Sequence, residues 1–179
     1  MSLLGFSQDC TSSCFYKLFQ WCEELIAIPE LPATGMASNC YCSMFYGCTS
    51  LTSVPTNLLP AMDMAEFCYE WMFGDCTSLT SVPALPATGL ADWCYMEMFY
   101  GCTGLSSVPS DLLPAIDLAE GCYQEMFQEC TNLTGAPELP ATGLAVDCYS
   151  MMFDYCTGMV ALPTAISGNL ESGACWYMF

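Results

Sequence analysis

Apolar side chains recur at a regular spacing between Leu90 and Phe99. They fall at i, i+1, i+4, i+5, i+8 and i+9, whereas Asp92 and Glu97 lie off that face. This spacing predicts an amphipathic helix of about ten residues with one buried face. Gly101 is a typical C-terminal cap and indicates where the helix ends.

A short extended segment is expected after the helix. Leu105 and Val108 are the apolar residues of this segment, and Pro109 ends it because proline cannot donate within a central ladder. Pro114 rules out a long helix in the connector that follows. The unit therefore contains a short helix, a short strand and a connector.

The same unit returns along nearly the whole chain. Its frame is C-Y-x-x-M-F-x-x-C-T-x-L-x-x-x-P, followed by a connector containing L-P-A. Short units carrying L-P-A-T-G alternate with longer units carrying L-L-P-A and an acid, which indicates an ancestral pair of 54 residues. The leading cysteines stand 26 to 28 residues apart, at Cys14, Cys40, Cys68, Cys94, Cys122, Cys148 and Cys175.

Tandem repetition decides the predicted fold. One unit cannot cover its own apolar face, whereas stacked neighbours share one continuous core. The sequence therefore predicts an α/β tandem-repeat solenoid in which equivalent phenylalanines stack. Its expected parts are an N-terminal extension (1–13), six coils (14–174) and a truncated seventh repeat (175–179).

The repeat resembles a known family. The frame L-P-A-T-x-L-A-x-x-C-Y-x-x-M-F-x-x-C-T-S-L, carried by residues 85–91, Cys94, Phe99 and Cys102, is similar to BspA-like leucine-rich-repeat surface proteins of bacteria and protists. The resemblance implies leucine-rich-repeat-like coils of 26–28 residues. It also implies an extracellular or cell-surface protein that binds a host or matrix protein or a glycan.

Charge and composition exclude several functions. The chain has 19 acids, a single base and no histidine, for a net charge of −18. Such a surface repels nucleic acid and anionic lipid. Without histidine, the commonest general base and the usual zinc ligand are missing, so we expect no enzyme. No apolar stretch is long enough to insert into a membrane.

Fifteen cysteines indicate an oxidising compartment. Two arrangements are open. In one, disulfides close each C-x7-C pair, which requires the chain to fold back because two turns of continuous helix hold the residues about 12 Å apart. In the other, the cysteines form a buried thiol ladder. The six pairs are Cys14/Cys22, Cys40/Cys48, Cys68/Cys76, Cys94/Cys102, Cys122/Cys130 and Cys148/Cys156.

Both ends of the sequence are apolar. Phe6 lies near the start, and Trp176 and Phe179 lie at the end, where polar caps are expected of a free solenoid. One hypothesis is a head-to-tail filament in which residues 7–12 of one subunit complete the seventh coil of another and Cys10 bridges to Cys175. The alternative is a monomer whose first 13 residues cover the first coil.

Two further sites are predicted from short motifs. Asp63 and Glu66 recur as Asp117 and Glu120 in the long units, and these carboxylates are candidates for weak calcium binding. Asn132 begins an N-x-T glycosylation motif. The predicted function is a structural subunit of an acidic extracellular fibre, and the alternative is a monomeric adhesin-like binding module.

Overall fold

The computed structural model describes residues 9–163 and 173–179. Within these residues there is no α-helix, and extended pairing is limited to isolated parallel bridges. Each repeat instead contains a turn segment of ten residues. The turn segments span 12–21, 38–47, 66–75, 92–101, 120–129 and 146–155, and a seventh begins at 174–177.

Backbone hydrogen bonds alternate along each turn segment. The Met98 N–H donates to the Tyr95 carbonyl three residues back, at 3.2 Å. The Tyr95 N–H donates to the carbonyl of Cys122 in the following repeat, at 3.0 Å. From Trp93 to Gly101 every N–H finds an acceptor in this alternating way. Consecutive repeats therefore lie side by side and in register, which satisfies the backbone without a helix.

Every fourth residue of a turn segment has a positive φ, as at Trp93 (54°), Glu97 (55°) and Gly101 (65°). A positive φ at the third residue of a turn is characteristic of type II turns. The predicted helix over 90–99 is therefore wrong. Apolar pairs repeating every 4 residues occupy the same positions as a 3.6-residue helix over so short a stretch, so the sequence pattern does not separate the two.

Stacked aromatic rings form the centre of the core. The predicted phenylalanine column is present, with ring centroids 5.6 to 5.8 Å apart and nearly parallel planes. A second column runs from Phe15 through the tyrosines to Tyr149. The phenylalanine column contains Phe19, Phe45, Phe73, Phe99, Phe127, Phe153 and Phe179.

A close contact between an aspartate and a glycine joins the connectors of neighbouring repeats. Asp63 forms a parallel bridge with Gly89, and Asp117 forms the equivalent bridge with Gly143. The aspartate side chain lies against the glycine so closely that an added Cβ would collide with its Oδ1. The φ angles of the glycines in the L-P-A-T-G motifs are not positive. Glycine is therefore required there by the close approach of the aspartate and not by the backbone conformation.

The N-terminal boundary differs from the prediction. Residues 9–13 are the start of the first repeat, because Asp9 bridges to Gly35 and the Ser13 N–H donates to Ser38 at 3.0 Å. Phe6 lies outside the described residues. Asp9 is therefore the counterpart of Asp63 within its own chain. The hypothesis that residues 7–12 complete the seventh coil of a neighbour placed them in another register, and the structure does not have that register.

The register of the seventh repeat is also corrected. Ala174, not Cys175, occupies the leading-cysteine position, because it accepts the Tyr149 N–H at 2.7 Å as Cys148 accepts the N–H of Tyr123. Cys175 therefore lies in the tyrosine column. The sequence contained the signal, since counting back from the Met-Phe pair that ends at Phe179 gives this register.

Candidate assembly interface

The C-terminal end of the stack exposes unpaired backbone donors. The N–H groups of Cys175, Tyr177 and Phe179 donate to no backbone acceptor within the described residues. The equivalent amides of the preceding repeat all donate forward, as the Phe153 N–H does to Met178 at 2.9 Å. The end face is therefore a row of three amides at the spacing used between repeats.

Large apolar side chains surround this row. Trp176 is 65 % exposed, Tyr177 74 % and Phe179 53 %. Phe179 stacks on Phe153 through one face and leaves the other open. The predicted contact residues Trp176 and Phe179 are thus both exposed, and so is Tyr177.

The N-terminal end of the stack exposes the complementary acceptors. Within the described chain, the carbonyls of Cys14, Tyr16 and Leu18 accept no backbone hydrogen bond. Their equivalents in later repeats all accept one from the preceding repeat. Tyr16 and Leu18 are about half exposed, and so is Trp21. This face was not predicted from sequence, because unsatisfied carbonyls have no sequence signature.

The single base of the chain, Lys17, belongs to the first repeat and lines a small pocket with Ser43, Tyr46 and Trp71 of the next two repeats. The Lys17 ammonium sits 4.8 Å from the centre of the Tyr16 ring. In the register of the stack, Lys17 and Tyr177 hold equivalent positions in the first and last repeats. The first and last repeats therefore differ in charge at this position.

None of the six C-x7-C pairs is bridged, and all fifteen cysteines are thiols. The two cysteines of a repeat are two periods of four residues apart in sequence, and they belong to separate columns of the stack. Cys102 donates from Sγ to the Phe73 carbonyl at 3.0 Å, and Cys130 donates to Phe99 at 3.2 Å. From the second repeat to the sixth, both cysteines of each pair are buried thiols, and no disulfide joins them.

Exposed thiols are confined to the first repeat. Cys14 and Cys22 are exposed, whereas Cys94 and Cys102 are fully buried. Burial raises the pKa of Cys14 to about 11 and raises those of Cys94 and Cys102 further. Thiolate chemistry is therefore most accessible at the N-terminal end. The predicted bridging partners Cys10 and Cys175 are half-buried at opposite ends of the chain.

The calcium candidates are not gathered into one site. Asp63, Glu66, Asp117 and Glu120 are all exposed. Among the described residues, no group of three or more acidic or cysteine side chains is arranged to hold a metal ion. The aspartates instead pack on the connector glycines. Asn132 is exposed, and its side-chain amide donates to the Thr103 carbonyl at 2.7 Å.

Glu97 differs from the expectation that it lies off the buried face. It is only 7 % exposed, and its Oε2 has no hydrogen-bond partner within the described chain. Burial, followed by the charge and hydrogen bond of Glu125, raises the pKa of Glu97 to about 8. Glu70 adds a further negative charge, and a hydrogen bond from Trp71 partly opposes the shift.

A proline-lined groove recurs along one side. The larger copy has a volume of about 650 Å³ and includes Leu85, Pro109 and Leu112. The smaller copy has a volume of about 410 Å³ and includes Leu31 and Pro55, which lie 54 residues earlier than their counterparts. The 54-residue pair of units is thus also the period of this surface.

Comparison with protein-family models, curated proteins and solved structures finds no match. The likeness to BspA-like repeats therefore remains a prediction. Within the described residues, no helix has the length and apolar character needed to cross a membrane.

Proposed function

We propose that this chain is a structural subunit that assembles head to tail into an acidic fibre of stacked repeats. The observation that carries the proposal is the complementarity of the two end faces. Among the described residues, three unpaired amides lie at one end and three unpaired carbonyls at the other, in the register that joins repeats within the chain. Open backbone edges of this kind pair readily with another chain.

The register specifies the junction. Cys175 would donate to Cys14, Tyr177 to Tyr16, and Phe179 to Leu18 of the next copy. These pairs continue the rule by which Tyr149 donates to Ala174. A contact between different faces of identical subunits does not close on itself when it continues a linear stack, so it generates a filament.

Side chains at the junction reinforce the hydrogen bonds. The free face of Phe179 would meet Phe19 and extend the phenylalanine column, whose rings are 5.6 Å apart at Phe19 and Phe45. Tyr177 would meet Lys17, which places the only cation of the chain over an aromatic ring. Elsewhere the acidic sides repel one another and favour growth along one axis.

Single-face variants test the proposal. Leu18→Asp should disable the N-terminal face and Phe179→Asp the C-terminal face, and each variant alone should be monomeric by sedimentation. An equimolar mixture retains one working junction and should give heterodimers but no fibres. Ile116→Asp is the matched control, because Ile116 is 56 % exposed on a side of the stack and its substitution should leave fibres intact.

Three results would contradict the proposal. The first is a wild-type chain that stays monomeric at high concentration. The second is dimerisation of Leu18→Asp alone, since that would mean contact between two C-terminal faces. The third is a loss of fibres in Ile116→Asp equal to that in the end-face variants.

The second candidate function is a binding module for a protein or glycan, which the recurring proline-lined groove favours. A ligand with its own repeat would contact both copies, which gains affinity through multivalency. Asp111 and Glu30 lie in the two copies. Asp111→Lys and Glu30→Lys should each weaken the binding of peptides or glycans selected on an array, and unchanged binding in both would remove this candidate.

A further inference from the structure

The position four residues before the leading cysteine brings a side chain close to the sulfur of that cysteine in the third repeat. In the third repeat, the Cys68 Sγ and the Met64 Sδ are 3.7 Å apart. Later repeats also have an apolar side chain at this position: Met36, Met64, Leu90, Leu118 and Leu144. Only the first repeat has a cysteine there, Cys10, which therefore faces Cys14.

The backbone fixes this pair in the same way as in the later repeats. The Cys14 N–H donates to the Thr11 carbonyl at 3.1 Å and closes the first turn. The Cys10 N–H donates to Gly35 at 2.9 Å, just as the N–H of Met64 donates to Gly89. The spacing of the sulfurs at Cys68 and Met64 is therefore a template for Cys10 and Cys14.

Side-chain contacts agree with the template. The Cys10 thiol lies close enough to Cys14 and Cys40 for these thiols to influence one another's pKa. Tyr41 lies near Cys10 as well, and its buried hydroxyl has no hydrogen-bond partner within the described chain.

The three thiols differ in their exposure to solvent. Cys14 is exposed, Cys10 is half-buried and Cys40 is fully buried. Cys14 is therefore the thiol that a reagent reaches first, and Cys10 is the one placed to react with it next. Because burial raises the pKa of both, attack is slow at neutral pH and quickens under alkaline conditions.

We infer that Cys10 and Cys14 form a disulfide when the folded chain meets a small-molecule disulfide. The Cys14 thiolate attacks the reagent, a mixed disulfide forms and one small thiol leaves. The Cys10 thiolate then attacks the Cys14 sulfur and displaces the second small thiol. Two protein thiols are oxidised and one reagent disulfide is reduced to two thiols, so electrons and protons balance.

The disulfide stabilises the first repeat, and this role is separate from end-to-end assembly. Among the described residues of one chain, the first repeat has a neighbour on one side only, so its turn segment lacks half of the contacts that hold an interior repeat. A disulfide across residues 10–14 closes that turn covalently. Interior repeats have methionine or leucine at this position and obtain the same order from packing.

The test uses the Phe179→Asp chain, which leaves the N-terminal face free whether or not the wild type forms fibres. The folded protein is incubated with oxidised glutathione at pH 8.5, quenched with acid, unfolded and alkylated before mass spectrometry. The peptide containing residues 9–16 should be 2 Da lighter than its reduced form and carry no alkyl group. Cys68 and Cys94 should be alkylated throughout.

Variants of Cys10 give the controls. Cys10→Met introduces the residue that later repeats have, so it preserves packing and should trap Cys14 as a stable glutathione adduct. Cys40→Ser should still form the bridge. Three outcomes would each overturn the inference. They are a Cys14–glutathione adduct that persists in the chain that retains Cys10, a Cys10–Cys40 disulfide, and no oxidation of Cys14.

Discussion

The first repeat and the fourth repeat have the same backbone and opposite surroundings. Each has a turn segment with three positive φ angles and N–H groups that donate to the following repeat. The fourth is covered on both sides, so Cys94 and Phe99 are fully buried, whereas Cys14 is exposed and Phe19 only partly covered. The difference shows that burial in a stack is conferred by neighbours and not by the repeat itself.

Thiol labelling should show the largest effect of this difference. In the folded chain, Cys14 and Cys22 should react with an alkylating reagent directly, whereas Cys94 and Cys102 should react only through unfolding. We expect a rate difference of at least about 1000-fold, since global opening of a stable domain is that rare. Time-resolved mass spectrometry measures it, and equal rates in all four would mean that the interior is not closed.

Truncating the phenylalanine column should cost more in the middle than at the end. Phe99→Ala removes a ring stacked on both faces and should lower the free energy of unfolding by about 3–5 kcal/mol. Phe19→Ala, stacked on one described face, should cost less than half as much. Denaturant unfolding compares the two, and Asp92→Ala, which loses one hydrogen bond to the Glu120 N–H, should be close to neutral.

The stability of the fourth repeat should depend on pH through Glu97. The first repeat lacks this dependence, because Lys17 stands at the equivalent position there. Its pKa is raised from 4.5 to about 8, so the folded state holds the proton more tightly than the unfolded state. The contribution of Glu97 to the free energy of unfolding is therefore fully present below about pH 4.5 and is lost as the pH rises through 8. Glu97→Gln keeps a neutral side chain and should be more stable than the wild type by roughly 2 kcal/mol at pH 9.

The comparison must be made at several pH values, because the other carboxyl groups titrate as well. The difference between Glu97→Gln and the wild type should vanish at pH 4 and grow toward pH 9. Glu129→Gln, which changes an exposed acid also at a corner with positive φ, is the control. A difference that is constant with pH would show that Glu97 ionises normally.

The smallest predicted effect concerns the left-handed corners. Tyr155 has a φ of 57° and is 64 % exposed, whereas Gly47 and Gly101 are glycines at equivalent corners. Tyr155→Gly should stabilise by about 1 kcal/mol, because glycine adopts this conformation without strain. Tyr155→Ala, which keeps the strain, should not. Thermal unfolding of both variants measures the effect, and destabilisation by glycine would mean that the ring contributes packing.

Several features were predictable from residues alone. The repeat length, the alternation of two units and the phenylalanine column followed from identical residues at fixed spacing, because equivalent positions in tandem repeats occupy equivalent places. The apolar ends were also visible, in Trp176 and Phe179. The buried position of Glu97 was not, since an acid between apolar pairs normally points to solvent.

The sequence by itself determined which residues repeat and which side chains are apolar. Only the tertiary structure decided the backbone that carries them, because periods of 3.6 and 4 residues are indistinguishable over Leu90 to Phe99. It also decided the register at both ends, where Ala174 takes the place of a cysteine and Cys10 that of a methionine. Hydrogen bonds between repeats fix that register, and they join backbone groups that every residue shares whatever its side chain.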